Sequence, residues 1–152
     1  MLLTTRSSYG VRGLIHLAIA YKKEDRRPVS AGRVSREEGI SITYLEQIFN
    51  RLKAHGIVKS VRGPRGGYVL AGDPSKISVY EVVMALEGGI SPGKCIGNKK
   101  ICTKAGRCAS KEVWEEVAKQ ITGTLERFNL GDLATRTLEL APKKNAKGRR
   151  VK

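Results

Sequence analysis

The only three cysteines of this 152-residue chain, Cys95, Cys102 and Cys108, lie within one short stretch. That stretch is rich in Gly and Lys, so it cannot bury three thiols in a hydrophobic core of its own. Thiolates that converge from a loop of this kind are the ligands that a soft metal ion or an iron–sulfur cluster requires. The sequence therefore predicts a metal or cluster site here, with one ligand position left open at a four-coordinate centre.

The spacing of the cysteines favours an iron–sulfur cluster over the alternatives. Structural zinc sites normally contain cysteine pairs separated by two to four residues, whereas the two gaps here are longer. A disulfide would leave one thiol unpaired, and an odd cysteine count without a secretion signal favours a reducing, cytoplasmic location. A cluster is larger than a single ion and tolerates wider spacings. A zinc-stabilised loop and a cluster-free thiol redox switch remain the alternative hypotheses.

The charge balance indicates a polyanionic partner. The net charge is +15 and the sequence pI is near 10.1. Six of the positive charges follow Ala141, where there is no acidic residue, and subtracting them leaves +9 for the rest of the chain. Such a field favours nucleic acid. No apolar run approaches the ~18 residues of a membrane span, and no catalytic constellation is present, so we expect neither a membrane protein nor an enzyme.

Hydrophobic periodicity places a winged helix-turn-helix ahead of the cysteines. Ser30 and Ser41 are plausible N-caps of the second and third predicted helices. The outer face of the third helix is polar, and a basic Gly-rich turn joins two short β-type runs. The predicted elements are helices at 9–21, 30–36 and 42–54, followed by strands at 57–61 and 68–70.

The second half of the chain is predicted to be helical around the cysteine loop. A capping box, Ser78 to Glu81, begins a helix that ends near Glu87. Ser110 is a plausible cap for a long helix with an apolar stripe suited to packing on a partner. A last short helix is expected at 133–140. The expected segments are 1–72 winged helix-turn-helix, 73–91 connecting turn and helix, 92–109 cysteine cluster-binding loop, 110–140 dimerisation helix region and 141–152 basic disordered tail. The predicted fold class is mainly α with a small β-hairpin.

The third helix and the basic turn carry the residues expected to contact DNA. Gln pairs with adenine and Arg with guanine in the major groove, whereas Tyr or Thr reach phosphate or a thymine methyl. Arginines beside a proline in a Gly-rich turn suit phosphate or a narrow minor groove. The predicted DNA-binding set is Thr43, Tyr44, Glu46, Gln47, Arg51, Arg62 and Arg65.

The segments 40–49 (Ile-Ser-Ile-Thr-Tyr-Leu-Glu-Gln-Ile-Phe) and 61–68 (Val-Arg-Gly-Pro-Arg-Gly-Gly-Tyr) resemble the winged-helix iron–sulfur regulators of the IscR and NsrR type. The resemblance covers about the first 135 residues. It implies a homodimer on near-palindromic double-stranded DNA, formed through the helix that carries Trp114 and Ile121. It also implies that Thr43, Tyr44 and Gln47 contact DNA from the recognition helix.

Further roles follow from the same resemblance. Arg62 would read the minor groove, and Glu46 would tune discrimination between two classes of operator. Cys95, Cys102 and Cys108 fall on the three cluster ligands of the family. The implied function is a transcription regulator that senses iron–sulfur status, redox state or nitric oxide.

The chain departs from the family pattern around the fourth ligand. The first cysteine gap is one residue longer than in IscR-type members, and Lys111 stands where those members carry a histidine. Ser8 stands where NsrR-type members use an acidic residue. Ser8, Glu112, a solvent molecule and another, unassigned side chain are the candidate fourth ligands, and both [2Fe–2S] and [4Fe–4S] clusters remain open.

Overall fold

The computed structural model describes residues 4–93, 96, 104 and 106–142. Within this part of the chain there are six α-helices, one 3-10 turn and one antiparallel pair of strands. In chain order they are α1 Thr5–Lys23, α2 Ala31–Glu38, α3 Ile42–Ala54, β1 Val58–Val61, β2 Gly67–Leu70, the turn Pro74–Lys76, α4 Val79–Glu87, α5 Ala109–Arg127 and α6 Leu130–Leu140. The predicted fold class, mainly α with a small β-hairpin, is confirmed.

Most helix ends follow from local capping. The Ser30 side chain accepts from the Arg33 amide at the start of α2, and Gly39 ends that helix in the left-handed conformation at φ 65°. The predicted capping box of α4 is present, since Ser78 and Glu81 each accept from the other's backbone amide.

Helix α1 begins at Thr5, before the predicted 9–21 segment, because the Thr4 side chain accepts from the Arg6 amide and caps it there. Three other helix starts differ from the prediction in position or in capping. Ser41 precedes α3 but makes no side-chain capping bond. Helix α5 begins at Ala109 with Cys108 in the N-cap position, so Ser110 lies inside the helix. Helix α6 begins at Leu130, before the predicted 133–140 segment, because the Asn129 side chain accepts from the Asp132 amide and caps the helix there.

The hairpin is completed by a short bridge to the segment before α2. Strands β1 and β2 pair from Val58 opposite Leu70 to Val61 opposite Gly67. Val29 and Tyr68 exchange two backbone hydrogen bonds, each 2.9 Å from nitrogen to oxygen. Only glycine fits at position 67, because a Cβ there would lie 2.5 Å from the Val29 carbonyl oxygen. The close approach fixes the hairpin against the helix-turn-helix.

One hydrophobic core joins all the described helices except α5, together with the hairpin. The apolar face of α3 is fully buried, as its periodicity predicts. Val82 and Leu86 of α4 and Leu130 and Ala134 of α6 belong to the same buried cluster. Helix α6 packs on α1, where Lys22 Nζ donates to the Gly131 carbonyl at 2.8 Å. The connecting helix and the last helix therefore share the core of the winged helix.

Helix α5 differs from the others because none of its described residues is buried. Val113, Trp114 and Phe128 are 58%, 43% and 49% exposed. The helix contacts α4, and Val117, Ile121 and Leu125 of its apolar stripe are half-buried. Large exposed apolar patches of this kind mark interaction surfaces. Among the described residues, no helix is long and apolar enough to cross a membrane.

A polar cluster ties α1 to the end of α2. Arg12 Nε donates to Glu38 at 2.6 Å, and His16 Nε2 lies 2.6 Å from the other oxygen of that carboxylate. Burial alone would raise the pKa of Glu38, but its hydrogen bonds with His16 and Arg12 outweigh burial and lower the pKa. The ionised form of Glu38 therefore stabilises the packing of these two helices.

Candidate nucleic-acid interface and cysteine site

The recognition helix α3 presents most of its predicted contact residues to solvent. Thr43, Glu46 and Gln47 are exposed. Tyr44 is half-buried, because its ring packs edge-on against Tyr9 of α1 with 6.0 Å between centroids. Three polar side chains are thus free to reach base edges, whereas Tyr44 is held by its aromatic neighbour.

The wing, defined here as residues 62–66 between β1 and β2, is a tight basic turn. The Gly66 amide donates to the Gly63 carbonyl at 2.9 Å, and a Cβ at Gly66 would lie 2.3 Å from the Val61 carbonyl oxygen. Arg62 and Arg65 project from this turn into solvent, and neither forms an ion pair with another described residue. Two unpaired cations on a rigid turn suit binding to phosphate or the minor groove.

Wing and recognition helix are held close together through β2. Phe49 of α3 packs against the Tyr68 ring with 4.6 Å between centroids. Burial, and to a smaller extent the nearby Glu46 carboxylate, raise the pKa of Tyr68. Glu46 is therefore an acidic group on an otherwise basic surface, close enough to the sheet to act on it electrostatically.

A polar cleft of about 650 Å³ lies beside the wing. It is lined by Arg65, by Arg27 and Ser30 from the segment before α2, and by Arg33. Arg33 is paired with Glu24 at 3.3 Å and with Glu37 at 3.0 Å, and these hydrogen bonds raise its pKa. The uncommitted charge in the cleft therefore comes from Arg27 and Arg65. Sequence patterns alone did not single out Arg27, because only the fold brings it beside the wing.

Arg51 is the predicted DNA residue whose guanidinium has a protein partner. Its Nη1 donates to the Leu86 carbonyl oxygen at 3.1 Å, at the C-terminal end of α4. Of the predicted DNA-binding set, the structure thus places five residues on α3 and two on the wing, and among the five only Arg51 is bonded to the connecting helix α4.

Cys108 is the one predicted cluster ligand among the described residues, since Cys95 and Cys102 lie outside them. It is the N-cap of α5, and its Sγ lies 3.0 Å from the Ser110 hydroxyl. The hydrogen bond with Ser110, followed by that with the Lys111 backbone amide, lowers the pKa of the thiol. A thiolate is the form that ligates iron, so the donor chemistry at this position fits a cluster.

The neighbours of Cys108 define a small polar site. Lys111 Nζ forms an ion pair with Glu115 at 3.0 Å, and Glu112 is exposed on the same turn. These residues line a cleft of about 420 Å³ together with Arg107 and Cys108. Ser8, another candidate fourth ligand, is exposed on α1.

Comparison with known proteins identifies the family. Residues 3–136 match the Rrf2 family model, described as an iron-dependent transcriptional regulator. The chain belongs to the Rrf2 family. The HTH-type transcriptional regulator IscR of Klebsiella pneumoniae strain 342 is 37% identical over 133 residues, which are 88% of this chain and 79% of that relative. The predicted resemblance to IscR-type regulators is thereby confirmed.

Solved structures of Rrf2-type regulators share the fold. T. potens IscR is 31% identical, with a TM-score of 0.74 and coverage of 95% of this chain and 93% of that one. CymR, the global cysteine regulator of B. subtilis, is 31% identical, with a TM-score of 0.75 and coverage of 90% and 98%. Membership of the Rrf2 family makes this chain a DNA-binding transcription regulator, a role in which α3 and the wing are the parts expected to contact DNA.

Proposed function

We propose that this Rrf2-family protein is a homodimeric regulator whose affinity for its operator depends on an iron–sulfur cluster held by Cys95, Cys102 and Cys108. The observation that carries the proposal is the placement of Cys108. Its thiol has a lowered pKa, and the residue occupies the N-cap position of the helix that follows the cysteine segment. Relatives named IscR and the family description of iron dependence support the same function.

DNA would be bound by the recognition helix and the wing together. Gln47 would donate and accept at an adenine edge in the major groove, with Thr43 and Tyr44 beside it. Arg62 would enter the adjacent minor groove, and Arg65 would neutralise phosphate. The acidic Glu46 would penalise sites that present acceptors at its position, which is how one residue separates two operator classes.

Dimerisation would use the uncovered face of α5. The stripe on this helix contains Trp114, Val117, Ile121, Leu125 and Phe128, and no described residue of the helix is buried. Crossing two copies of α5 would cover the stripe. It would also set two recognition helices about one DNA turn apart, ~34 Å, as a near-palindromic site requires.

The residues around Cys108 would tune the cluster site. When bound, the cluster supplies iron that reacts with oxidants and nitric oxide. The backbone amides at the start of α5 stabilise the Cys108 thiolate. Lys111 holds a cation next to it without ligating, while Glu115 partly neutralises that cation. Ser8 and Glu112 are the candidate fourth ligands, for either a [2Fe–2S] or a [4Fe–4S] cluster.

A cluster-free thiol switch is the second candidate. It is favoured by the same lowered pKa of Cys108, because a thiolate is also the form that oxidants attack. Structural likeness to CymR, a regulator of cysteine, is compatible with it. The two candidates predict different composition of the purified protein.

Anaerobic purification followed by iron, sulfide and visible absorption measurements tests the proposal. We expect iron and acid-labile sulfide in the wild type and their loss in Cys108→Ala, with both kept in Lys119→Ala, a control at an exposed position on the same helix. Zinc without sulfide would favour the zinc-stabilised loop. Protein that lacks metal, but whose DNA affinity changes reversibly with a thiol oxidant, would favour the thiol switch.

A further inference from the structure

The C-terminal turn of α4 is a meeting point of three helices. The Leu86 carbonyl oxygen accepts from Arg51 Nη1 of the recognition helix at 3.1 Å and from Arg6 Nη1 of α1 at 3.3 Å. One carbonyl thus receives two guanidinium donors from different elements. We call the Leu86 carbonyl and the Glu87 carboxylate the α4 junction.

Glu87 makes the second half of the junction. Its carboxylate accepts from the Ser7 hydroxyl at 2.6 Å and from the Thr4 hydroxyl. Burial alone would raise the pKa of Glu87, but these hydrogen bonds and the charge of Arg6 outweigh burial and lower the pKa. The carboxylate therefore stays ionised and holds the first turn of α1. Ser7 is itself buried, which makes the bond difficult to replace by water.

The side chain of Leu86, whose carbonyl belongs to the junction, is tightly packed between α1 and α3. The Leu86 side chain is fully buried, and a Cβ at Gly10 would lie 2.3 Å from its Cδ1. The same Cβ would lie 3.5 Å from Ile48 Cγ2 of the recognition helix. Packed interiors transmit displacement because they cannot absorb it locally. A shift of Leu86 must therefore move α1 or α3.

The junction lies at the C-terminal end of α4, the last helix before the cysteines in the sequence. Gly88 ends α4 in the left-handed conformation at φ 75°, and its amide donates to the Met84 carbonyl at 2.9 Å. Cys95 follows seven residues later in the sequence. Of the described contacts, the hydrogen bond between Arg51 and Leu86 joins the polar side of the recognition helix directly to this end of α4.

We propose that Arg51 is a positioning residue that fixes the recognition helix to the α4 junction and passes displacement of the cysteine segment to α3. The proposal rests on the function proposed above. A guanidinium donating to a carbonyl at a helix C-terminus is a charge-assisted bond at the negative end of the helix dipole. This bond stabilises the Arg51 side chain in an orientation toward α4 rather than toward a DNA phosphate.

Salt dependence separates positioning from direct DNA contact. The variants are Arg51→Met, which keeps an apolar stem, and Lys53→Met, an exposed control on the same helix with the same change in charge. Loss of a phosphate contact lowers the slope of log affinity against log salt by about one. We expect Arg51→Met to keep the slope of the Lys53→Met control. If the salt slope of Arg51→Met is smaller in magnitude than that of Lys53→Met by about one, Arg51 contacts a phosphate and the proposal is overturned.

The effect of the cluster on DNA affinity is a second measurement. It should not change if Arg51 only stabilises the fold. The quantity is the ratio of DNA dissociation constants between cluster-loaded and cluster-free protein, on a duplex selected by the wild type from a random pool. Arg51→Met should bring this ratio several-fold closer to one, whereas Lys53→Met should keep the wild-type ratio. A wild-type ratio in Arg51→Met, at equal iron and sulfide content, would refute the proposal.

Amide exchange on the unmodified protein covers the case in which Arg51→Met does not fold. Loss of the cluster should speed exchange at Gly88 and at residues 51–54 together, several-fold in each. Faster exchange at Gly88 with unchanged exchange at 51–54 would break the proposed link. Wild-type protein without iron and sulfide would instead refute the proposed function, and the salt slopes would still decide whether Arg51 contacts DNA.

Discussion

Truncating Gln47 tests the assignment of the recognition helix most directly. The side chain is exposed on α3 and has no hydrogen-bond partner among the described residues. Its removal should therefore change the free energy of unfolding by less than about 0.5 kcal/mol. A bidentate contact to adenine is worth about 1–3 kcal/mol of discrimination. Gln47→Ala should therefore weaken binding to the preferred site roughly 5- to 150-fold, at 1.4 kcal/mol for each factor of ten.

The assay is titration of wild type, Gln47→Ala and Asn50→Ala against the selected duplex and against duplexes with single base changes. Asn50 is also exposed on α3 but lies outside the predicted contact set, so it is the matched control. Gln47→Ala should lose affinity for the preferred duplex and lose its preference at one base position. Equal affinity and unchanged preference in Gln47→Ala, with a normal melting curve, would show that α3 does not read DNA through this residue.

Three further predictions concern assembly and stability. Ile121→Asp should place an unpaired charge in the α5 contact and produce monomer or aggregate, and a dimer by light scattering would place the interface elsewhere. Gly67→Ala should lower the free energy of unfolding by about 2 kcal/mol or more, because its Cβ would clash with backbone. The control Gly72→Ala has open space around its Cβ and should be near neutral. Denaturant titration of both variants measures the difference. Glu38→Gln should cost about 1 kcal/mol at pH 7, and the difference should be smaller at about pH 3. The pKa of Glu38 is lowered by folding, so its stabilisation is present above the ordinary carboxyl pKa and is lost as the pH falls through the folded value. Glu139→Gln, which breaks an exposed ion pair, should change stability little at either pH.

The sequence predicts well those helix ends and faces that depend only on residues close together in the chain. Helix α3 occupies the predicted residues, because four apolar positions define its inner face and the His55-Gly56 pair follows it. The capping box at Ser78 and the left-handed Gly88 likewise depend on neighbours within a few residues. These features need no tertiary information, so pattern and propensity suffice for them.

Errors arose where several plausible caps compete. Ser41 and Ser110 are good capping residues by type, but neither accepts a capping bond, and the N-cap of α5 is Cys108, two residues before Ser110. The predicted 133–140 segment likewise misses the first turn of α6, which Asn129 caps. Choosing among adjacent polar residues depends on the direction from which the chain enters the helix, and tertiary packing sets that direction.

The α4 junction was beyond sequence patterns for a different reason. Arg51 and Leu86 are 35 residues apart, and Arg6 and Leu86 are 80 apart. The acceptor is a backbone carbonyl, which has no residue type to recognise. An arginine on the polar side of a recognition helix is by default assigned to DNA, and only the fold reveals a competing partner.

The ends of the cysteine segment explain how one site can act on both parts of a DNA-binding dimer. At its start, Gly88 follows the α4 junction, which is bonded to the recognition helix. At its end, Cys108 caps α5, the helix proposed to form the dimer. In the proposed dimer, a change in the segment would act through α4 on the orientation of each recognition helix, and through α5 on the separation of the two recognition helices. The available energy is the difference in cluster affinity between the two arrangements. Arg51→Met interrupts only the first route, so any coupling that remains in this variant measures the contribution of α5.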